Sequence, residues 1–304
     1  MKQTPQRHVV VSDQEYGLPY SKGLTASSIM ATGLAPARAF HVAEVVEERL
    51  HALDRDAVSS DELNALVREV LSAEVGERYA DVFSKWHRVK GLQRPLIILV
   101  GGATGVGKST IATMLASRLG MTRVIPTDAI REVMRSMFST DLLPTLQRSS
   151  FEADQKIRFP LPPDTDPLIA GFREQVSAVV VGVEALIARA AEERTHLIIE
   201  GAHLVPGFLD LSALAERAAV VHLLVTVDDE EQHRSHLAMR GQDAVLRPGE
   251  RYLDHFTNIR RLHKYLKSMA LQHGVPLVPS YNLDATLSHV IDLVVHEAFQ
   301  AVPA

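Results

Sequence analysis

Residues 96–119 read LIILVGGATGVGKSTIATMLASRL, and this stretch decides the fold. Leu96 to Val100 is an unbroken aliphatic run, the pattern of a short strand buried on both faces. It passes directly into Gly102-Ala103-Thr104-Gly105-Val106-Gly107-Lys108-Ser109. From Thr110 to Leu119 the apolar spacing is helical. A strand, a glycine-rich loop closed by Lys-Ser, and a helix together form a cradle for nucleotide phosphates. Glycines let successive backbone N–H groups turn inward on a phosphate, and the helix N-terminus adds partial positive charge. Lys108 reaches the β- and γ-phosphates, and the Ser109 hydroxyl takes a Mg²⁺ position. Gly102 through Thr110 are therefore read as an ATP site, and the chain as an ATP-using P-loop enzyme.

Outward from this loop, short apolar strands alternate with helices at Arg123–Pro126, His196–Glu200, Val220–Val227 and Pro276–Pro279. That alternation predicts an α/β fold of the P-loop kinase kind, with a mainly parallel sheet, over residues 91–304. The apolar stretch Val176–Ala191, which carries Glu184, reads as a buried helix. The proline-rich Phe159–Pro167 reads as a loop. Residues 1–88 differ in texture. A short β-rich piece at His8–Ser12 precedes helical patterns at Ala26–Met30, Pro36–Leu50, Ser60–Leu71 and Glu74–Trp86. Ser60 is expected to open a capped helix, with Asp61 and Glu62 favouring its N-terminal dipole. Ile29, Phe40, Val45, Leu50, Leu63, Leu66, Val70 and Leu71 are expected to form a small separate core. The polar stretch Trp86–Pro95 is the expected boundary, so that residues 91–304 should fold without residues 1–88.

Composition narrows the function. The 304 residues are 46% hydrophobic, carry a formal charge of −5 and include no cysteine. Thiolate and disulfide chemistry are excluded. The negative charge and sparse aromatics argue against a nucleic-acid partner. No stretch reaches the roughly 20 apolar residues of a membrane span. A soluble cytoplasmic protein without a membrane or nucleic-acid partner is expected, and the anion it binds must be met by local basic groups.

Three further regions supply such groups. The second strand ends at Thr127-Asp128, and Arg131 and Arg135 follow on one helical face. At a strand's carboxyl end beside the loop, Asp128 suits a base for an acceptor hydroxyl, and the arginines suit an anionic clamp. The third strand ends in Glu200-Gly201-Ala202-His203. Glu200 stands where P-loop proteins keep the acidic partner of Mg²⁺ or its water, usually an aspartate. His203 either contacts a phosphorylated substrate or caps the loop. After the fourth strand comes a basic run that includes His233, Arg234, Arg240, Arg247, Arg251, Arg260, Arg261, Lys264 and Lys267. A mobile arginine-bearing lid would neutralise charge on the transferring phosphoryl and keep water out. Arg234 and Arg240 are assigned to catalysis on this reading, and Arg247 and Arg260 to the substrate. Arg261, Lys264 and Lys267 are read as a solvated face.

Taken together, GGATGVGKSTIA, TDAIREVMR, IIEGAHLVPG and HRSHLAMR…RYLDHFTNIRRLHKYL make residues 91–304 resemble the 2-phosphoglycerate kinases. The resemblance implies phosphoryl transfer from ATP to the free hydroxyl of 2-phosphoglycerate, giving 2,3-bisphosphoglycerate. The N-terminal LPYSKGLTASSIMATGLAPARAFHVAEVV resembles the ATP-cone, a small helical adenine-nucleotide module. It implies a regulatory domain with Lys22 as a phosphate contact, or a homo-oligomer contact. The module's usual basic opening is replaced here by Ser12-Asp13-Gln14-Glu15. The residues alone leave other acceptors open, such as a phosphorylated polyol or sugar acid. They also leave open an ATP-hydrolysing regulatory switch.

Overall fold

Apolar residues that return every three to four positions build the N-terminal helices, and their register decides what is buried. The computed structural model describes residues 9–12, 17–90, 94–157, 160–211, 214, 216–242 and 249–300. They fall into two compact units. The first comprises Met1–Leu92, Arg118–Gly120 and Leu287–Ala304; the second comprises Gln93–Ser117 and Met121–Thr286.

In the first unit, strands β1 (Val10–Val11) and β2 (Leu18–Pro19) precede helices α1 (Lys22–Met30) and α2 (Pro36–Ala52). Strand β3 (Ala57–Val58) and helices α3 (Ser60–Glu74) and α4 (Glu77–Lys90) follow. The strands form a small sheet in the order β2-β1-β3, with β1 antiparallel to β2 and parallel to β3. Ala39, Val42, Ala43, Val46 and Leu50 give α2 its buried stripe, against Ile29, Val67, Val70 and Leu71. Phe40 falls between those positions and is 45% exposed, so it is not part of the core. The cap of α3 lies one residue earlier than the sequence suggested. Ser59 accepts from Glu62 N, and Glu62 accepts from Ser59 N, a reciprocal capping box.

The second unit opens with β4 (Leu96–Gly101), buried along its whole length. Helix α5 (Lys108–Leu119), strand β5 (Val124–Pro126) and helix α6 (Thr127–Met137) follow. Two 3₁₀ segments, Pro144–Gln147 and Ser150–Lys156, lead to the long helix α7 (Pro167–Glu192), capped by Asp166. Next come β6 (Leu197–Gly201), β7 (Ala219–Thr226), α8 (Glu230–Gln242), α9 (Gly249–Asp254), α10 (Phe256–Gln272) and β8 (Leu277–Pro279). All five strands are parallel, in the order β5-β6-β4-β7-β8. The α/β architecture and the parallel sheet expected from the sequence are both present. Val179, Val183 and Ile187 of α7 pack on Ile97, Leu99 and Ile199, so the predicted apolar helix covers one sheet face. Among the described residues no helix is long and apolar enough to cross a membrane.

The last helix, α11 (Leu283–Gln300), joins the first unit from Leu287 onward. Arg78 pairs with Asp292, the Arg88 guanidinium stacks 4.7 Å from the Phe299 ring, and Ser288 lies against Gly33. Arg118 donates to the carbonyls of Gly33 and Leu34. Removing residues 1–88 takes these partners away, so that protein should be insoluble or expose α11. Also removing residues 287–304 should lessen dye binding to apolar surface. Comparing the two truncations by anilinonaphthalene fluorescence and gel filtration checks this.

Candidate active site

Parallel pairing of β4 with β6 sets Val100 opposite Glu200 and Gly101 opposite Gly201. Both strands therefore release their chains at the same sheet edge, where open α/β sheets place their chemistry. The loop after β4 has positive φ at Gly102, Gly105 and Gly107. At Gly105 a Cβ would also lie 2.4 Å from Leu237 Cδ2 on α8, so only glycine fits. Val106 is buried beneath the turn, whereas Ser109 and Thr110 at the start of α5 are exposed.

Lys108 is mostly buried; its Nζ donates to Ala103 O at 3.4 Å and stands 4.0 Å from Glu200 Oε2. Ser109 Oγ donates to Glu200 Oε1 at 2.9 Å. Glu200 Oε2 is buried and has no hydrogen-bond partner. A hydroxyl beside a carboxylate with an unused oxygen is a hard-oxygen donor set that suits a divalent cation sharing its remaining positions with phosphates and water. The expected pair, Ser109 and Glu200, is thus brought together.

Asp128 lies in the first turn of α6 and is largely exposed, with Arg131 Nε 3.7 Å from its Oδ1. Arg131 is mostly buried and donates to Leu146 O at 2.7 Å. Arg135 is directed elsewhere and pairs with Glu132. Two openings adjoin Lys108 on this side. One, about 170 Å³, is lined by Thr104, Lys108, Asp128, Arg131, Arg251 and Tyr252, among others. The other, about 430 Å³, is lined by Lys108, Ser109, Asp128, Arg131 and Glu200. A third, about 460 Å³, is lined by Gly105, Lys108, Thr110, His236, Met239 and Tyr281, among others. Lys108 belongs to all three.

His203 is fully buried, with Nδ1 2.9 Å from Thr127 Oγ1 and Nε2 3.0 Å from Gln175 Oε1. Of the two roles the sequence left open, this placement is an internal one. Gly201 permits it, since a Cβ there would sit 1.7 Å from Thr127 Oγ1. Burial pushes the His203 pKa down to about 4, with the Asp128 charge opposing and those of Arg131 and Lys108 reinforcing.

The basic run divides in use. Arg234 stacks 3.9 Å from the Phe256 ring. Arg260 donates to the carbonyls of Val227 and Asp228 at 2.7 and 2.8 Å and contacts His233 Nδ1 at 3.3 Å. His233 Nε2 in turn donates to Thr104 O at 2.8 Å, tying α8 to the phosphate loop. Arg240 lies on α8, but its side chain is outside the described residues, as is all of Arg247. Arg251 on α9 reaches the smaller opening, held by Glu152 and Ser149. The sequence marked Arg251 in the basic run and at the head of RYLDHFTNIRRLHKYL, without a role in the site. Ser149 and Ser150, which share that opening, carried no motif, and Tyr252 entered only as part of the stretch RYLDHFTNIRRLHKYL.

No family model matches the chain. It is 38% identical over 294 residues to the 2-phosphoglycerate kinase of Methanopyrus kandleri, covering 96% of this chain and 89% of that one. It is 39% identical over 282 residues to the 2-phosphoglycerate kinase of Methanothermobacter thermautotrophicus, covering 92% of each. The chain belongs to the 2-phosphoglycerate kinase family. Among solved structures, the shikimate kinase from Acinetobacter baumannii in complex with shikimate aligns with 68% of this chain and 97% of its own. The TM-score is 0.40 and the identity 16%. As a member of the 2-phosphoglycerate kinase family, the chain is a small-molecule kinase, in keeping with the strand–loop–helix at residues 96–119.

The buried His203 and His263 and the half-buried, ring-shielded His222 should make the stability of this kinase pH-dependent. Burial holds His203, His222 and His263 near a pKa of about 4. In the unfolded chain they titrate near 6.5. Between these values the unfolded state takes up protons that the native state does not, so stability falls as pH drops through that window. His222 Nε2 has no hydrogen-bond partner, which makes His222 the simplest to replace. His222→Gln should show a shallower loss of Tm between pH 6.5 and 4.5 than the unmodified protein. Equal slopes in a pH series of thermal melts would contradict the assignment.

Proposed function

We propose that this kinase transfers the terminal phosphoryl of Mg·ATP to the free hydroxyl of 2-phosphoglycerate, giving 2,3-bisphosphoglycerate and ADP. The observation that carries the reading is the position of Lys108. It lines the cavity bounded by Gly105, Thr110, His236 and Tyr281, and equally the opening bounded by Asp128, Arg131 and Arg251. A cation shared by two sites is what transfer between two bound molecules requires, because the phosphoryl passes from one to the other in line. The names of the relatives supply the acceptor.

On this reading the loop amides from Gly102 to Ser109 hold the phosphates, and Met239 and Tyr281 offer apolar surface to the base. Ser109 and Glu200 would hold Mg²⁺, which would neutralise phosphate charge when bound. Lys108 follows the transferring group, where charge builds up in the transition state. Asp128 takes the proton of the acceptor hydroxyl. Arg131 and Arg251 meet the acceptor's carboxylate and phosphate, since guanidinium forks match both. Arg234 and Arg260 act one step removed, fixing α8 against α10 and the end of β7.

The N-terminal unit is not proposed as a second nucleotide site. The Lys22 ammonium is held by Glu47 at 3.2 Å and Glu44 at 3.6 Å, so a phosphate there would have to displace two carboxylates. Asp13 to Glu15 lie outside the described residues. Titration calorimetry with a non-hydrolysable ATP analogue should count one site per chain, and two sites would reverse this reading.

The acceptor itself is tested by ADP release from Mg·ATP with 2-phosphoglycerate, against a panel of phosphorylated polyols and sugar acids, with the product identified by ³¹P NMR. Lys108→Ala should lower turnover at least about 10²-fold, the scale of one lost electrostatic contact to a transition state. Asp128→Asn should lower turnover far more than ATP affinity. Collapse of ATP binding with turnover preserved at saturation would make Asp128 a metal or structural residue instead.

A further inference from the structure

Besides the phosphate loop and α9, the opening beside Lys108 is walled by three segments that are far apart in sequence. Asp128 and Arg131 come from the start of α6, Ala202 from the turn after β6, and Ser149, Ser150 and Phe151 from the 3₁₀ region. Each segment is gripped, one residue away from a lining residue, by the same buried chain of polar groups. Thr127 precedes Asp128 and bonds His203 Nδ1. His203 follows Ala202 and bonds Gln175 Oε1. Gln175 Nε2 then donates to Arg148 O at 2.9 Å, next to Ser149, and to Thr145 O at 2.7 Å.

Donors and acceptors fix the direction of every bond. Gln175 spends its amide N–H groups on two carbonyls, so its oxygen faces His203 and can only accept. His203 therefore carries its proton on Nε2, and its bare Nδ1 accepts from the Thr127 hydroxyl. A protonated ring would set a second N–H against that hydroxyl, and burial keeps the ring neutral. Thr127, Gln175 and His203 are all fully buried, so no water substitutes for a lost bond.

We propose that Gln175 and His203 are positioning residues for the acceptor. They lock these three walls of its opening into one geometry, and thereby set acceptor affinity and the alignment of Asp128, while the nucleotide side is held independently. This rests on that opening being the acceptor's. Rigid walls matter because transfer is sensitive to small misplacement, on the order of 10²-fold in rate for about 1 Å.

The test uses Gln175→Met, which keeps the side-chain shape but loses all three bonds. It also uses His203→Asn, whose amide oxygen overlays Nδ1 and keeps the Thr127 bond alone. In the full-length protein kcat/KM for 2-phosphoglycerate should fall on the order of 10- to 100-fold, with acceptor KM raised and the dissociation constant for the ATP analogue within about twofold. His203→Asn should be the milder of the two, and the double variant should be no worse than Gln175→Met, as for one connected unit. Loss of kcat alone with unchanged acceptor KM, or additive losses, would overturn the proposal in favour of a purely structural role.

Hydrogen exchange supplies a readout that needs no acceptor. Faster exchange confined to residues 127–131, 145–151 and 202–204, with residues 102–109 unchanged, is expected. Exchange that rises across the whole unit, or nowhere, would overturn the proposal. If the unmodified protein itself does not phosphorylate 2-phosphoglycerate, it is the acceptor reading that fails, and the exchange pattern still decides the role of the network.

Discussion

Because β4 is hydrogen-bonded along both edges, Val100 faces Glu200 on one side and Gly101 faces Leu224 on the other. No residue of the phosphate loop can shift along the strand without breaking both ladders and moving a fully buried aliphatic side chain to the wrong face. The carboxylate of Glu200 is therefore delivered to Ser109 by sheet register, not by loop flexibility. The same constraint places Gly201 beside Gly101, and Gly201 is what lets Thr127 approach closely enough to bond His203. The glycine-rich loop and one wall of the opening proposed for the acceptor thus share a single origin in the pairing of two strands.

What was legible in the sequence follows from range. The strands, the loop and the long α7 are encoded within windows of a few residues: unbroken aliphatic runs, three glycines needing positive φ, and an apolar periodicity. Ser109 and Glu200 were legible too, because a motif and a strand end are both local signals. Errors of one residue appeared where two local solutions compete. Ser59 and Ser60 can each cap α3, and only the return bond from Glu62 selects the former. Phe40 is the largest apolar residue near the start of α2, yet the smaller Ala39 and Ala43 take the buried stripe and turn it outward.

The opening proposed for the acceptor was only partly legible because its assembly is tertiary. Arg251 looks like any member of a basic run until Glu152 and Ser149, about a hundred residues earlier, turn it toward the opening. Arg131 and Arg135 share a helical face in sequence, but a carbonyl at Leu146 takes the first and Glu132 takes the second, so only one lines the site. Gln175 sits in an apolar stripe of α7 with nothing to mark it, and its importance arises from two carbonyls in a segment without regular periodicity. The glycine-rich signal marks the phosphate loop by local pattern, whereas the contacts that shape the opening proposed for the acceptor lie in no single window of sequence.

The polar atoms that stay unmatched are informative in the same sense. Burying a polar atom without a partner costs about 1–3 kcal/mol, so stable folds rarely keep one without reason. Glu200 Oε2 and Arg131 Nε are both buried without hydrogen-bond partners, and their residues line the same opening with Lys108, Ser109 and Asp128. One is an acceptor and the other a donor, and each opposes the charge of what the proposed reaction brings: a cation toward the carboxylate, an anion toward the guanidinium. Satisfying them internally would stabilise the fold but close the donor set. These two atoms thus keep capacity for a partner from outside the chain, while the neighbouring Thr127–His203–Gln175 chain is joined by hydrogen bonds and can hold the walls rigid around them.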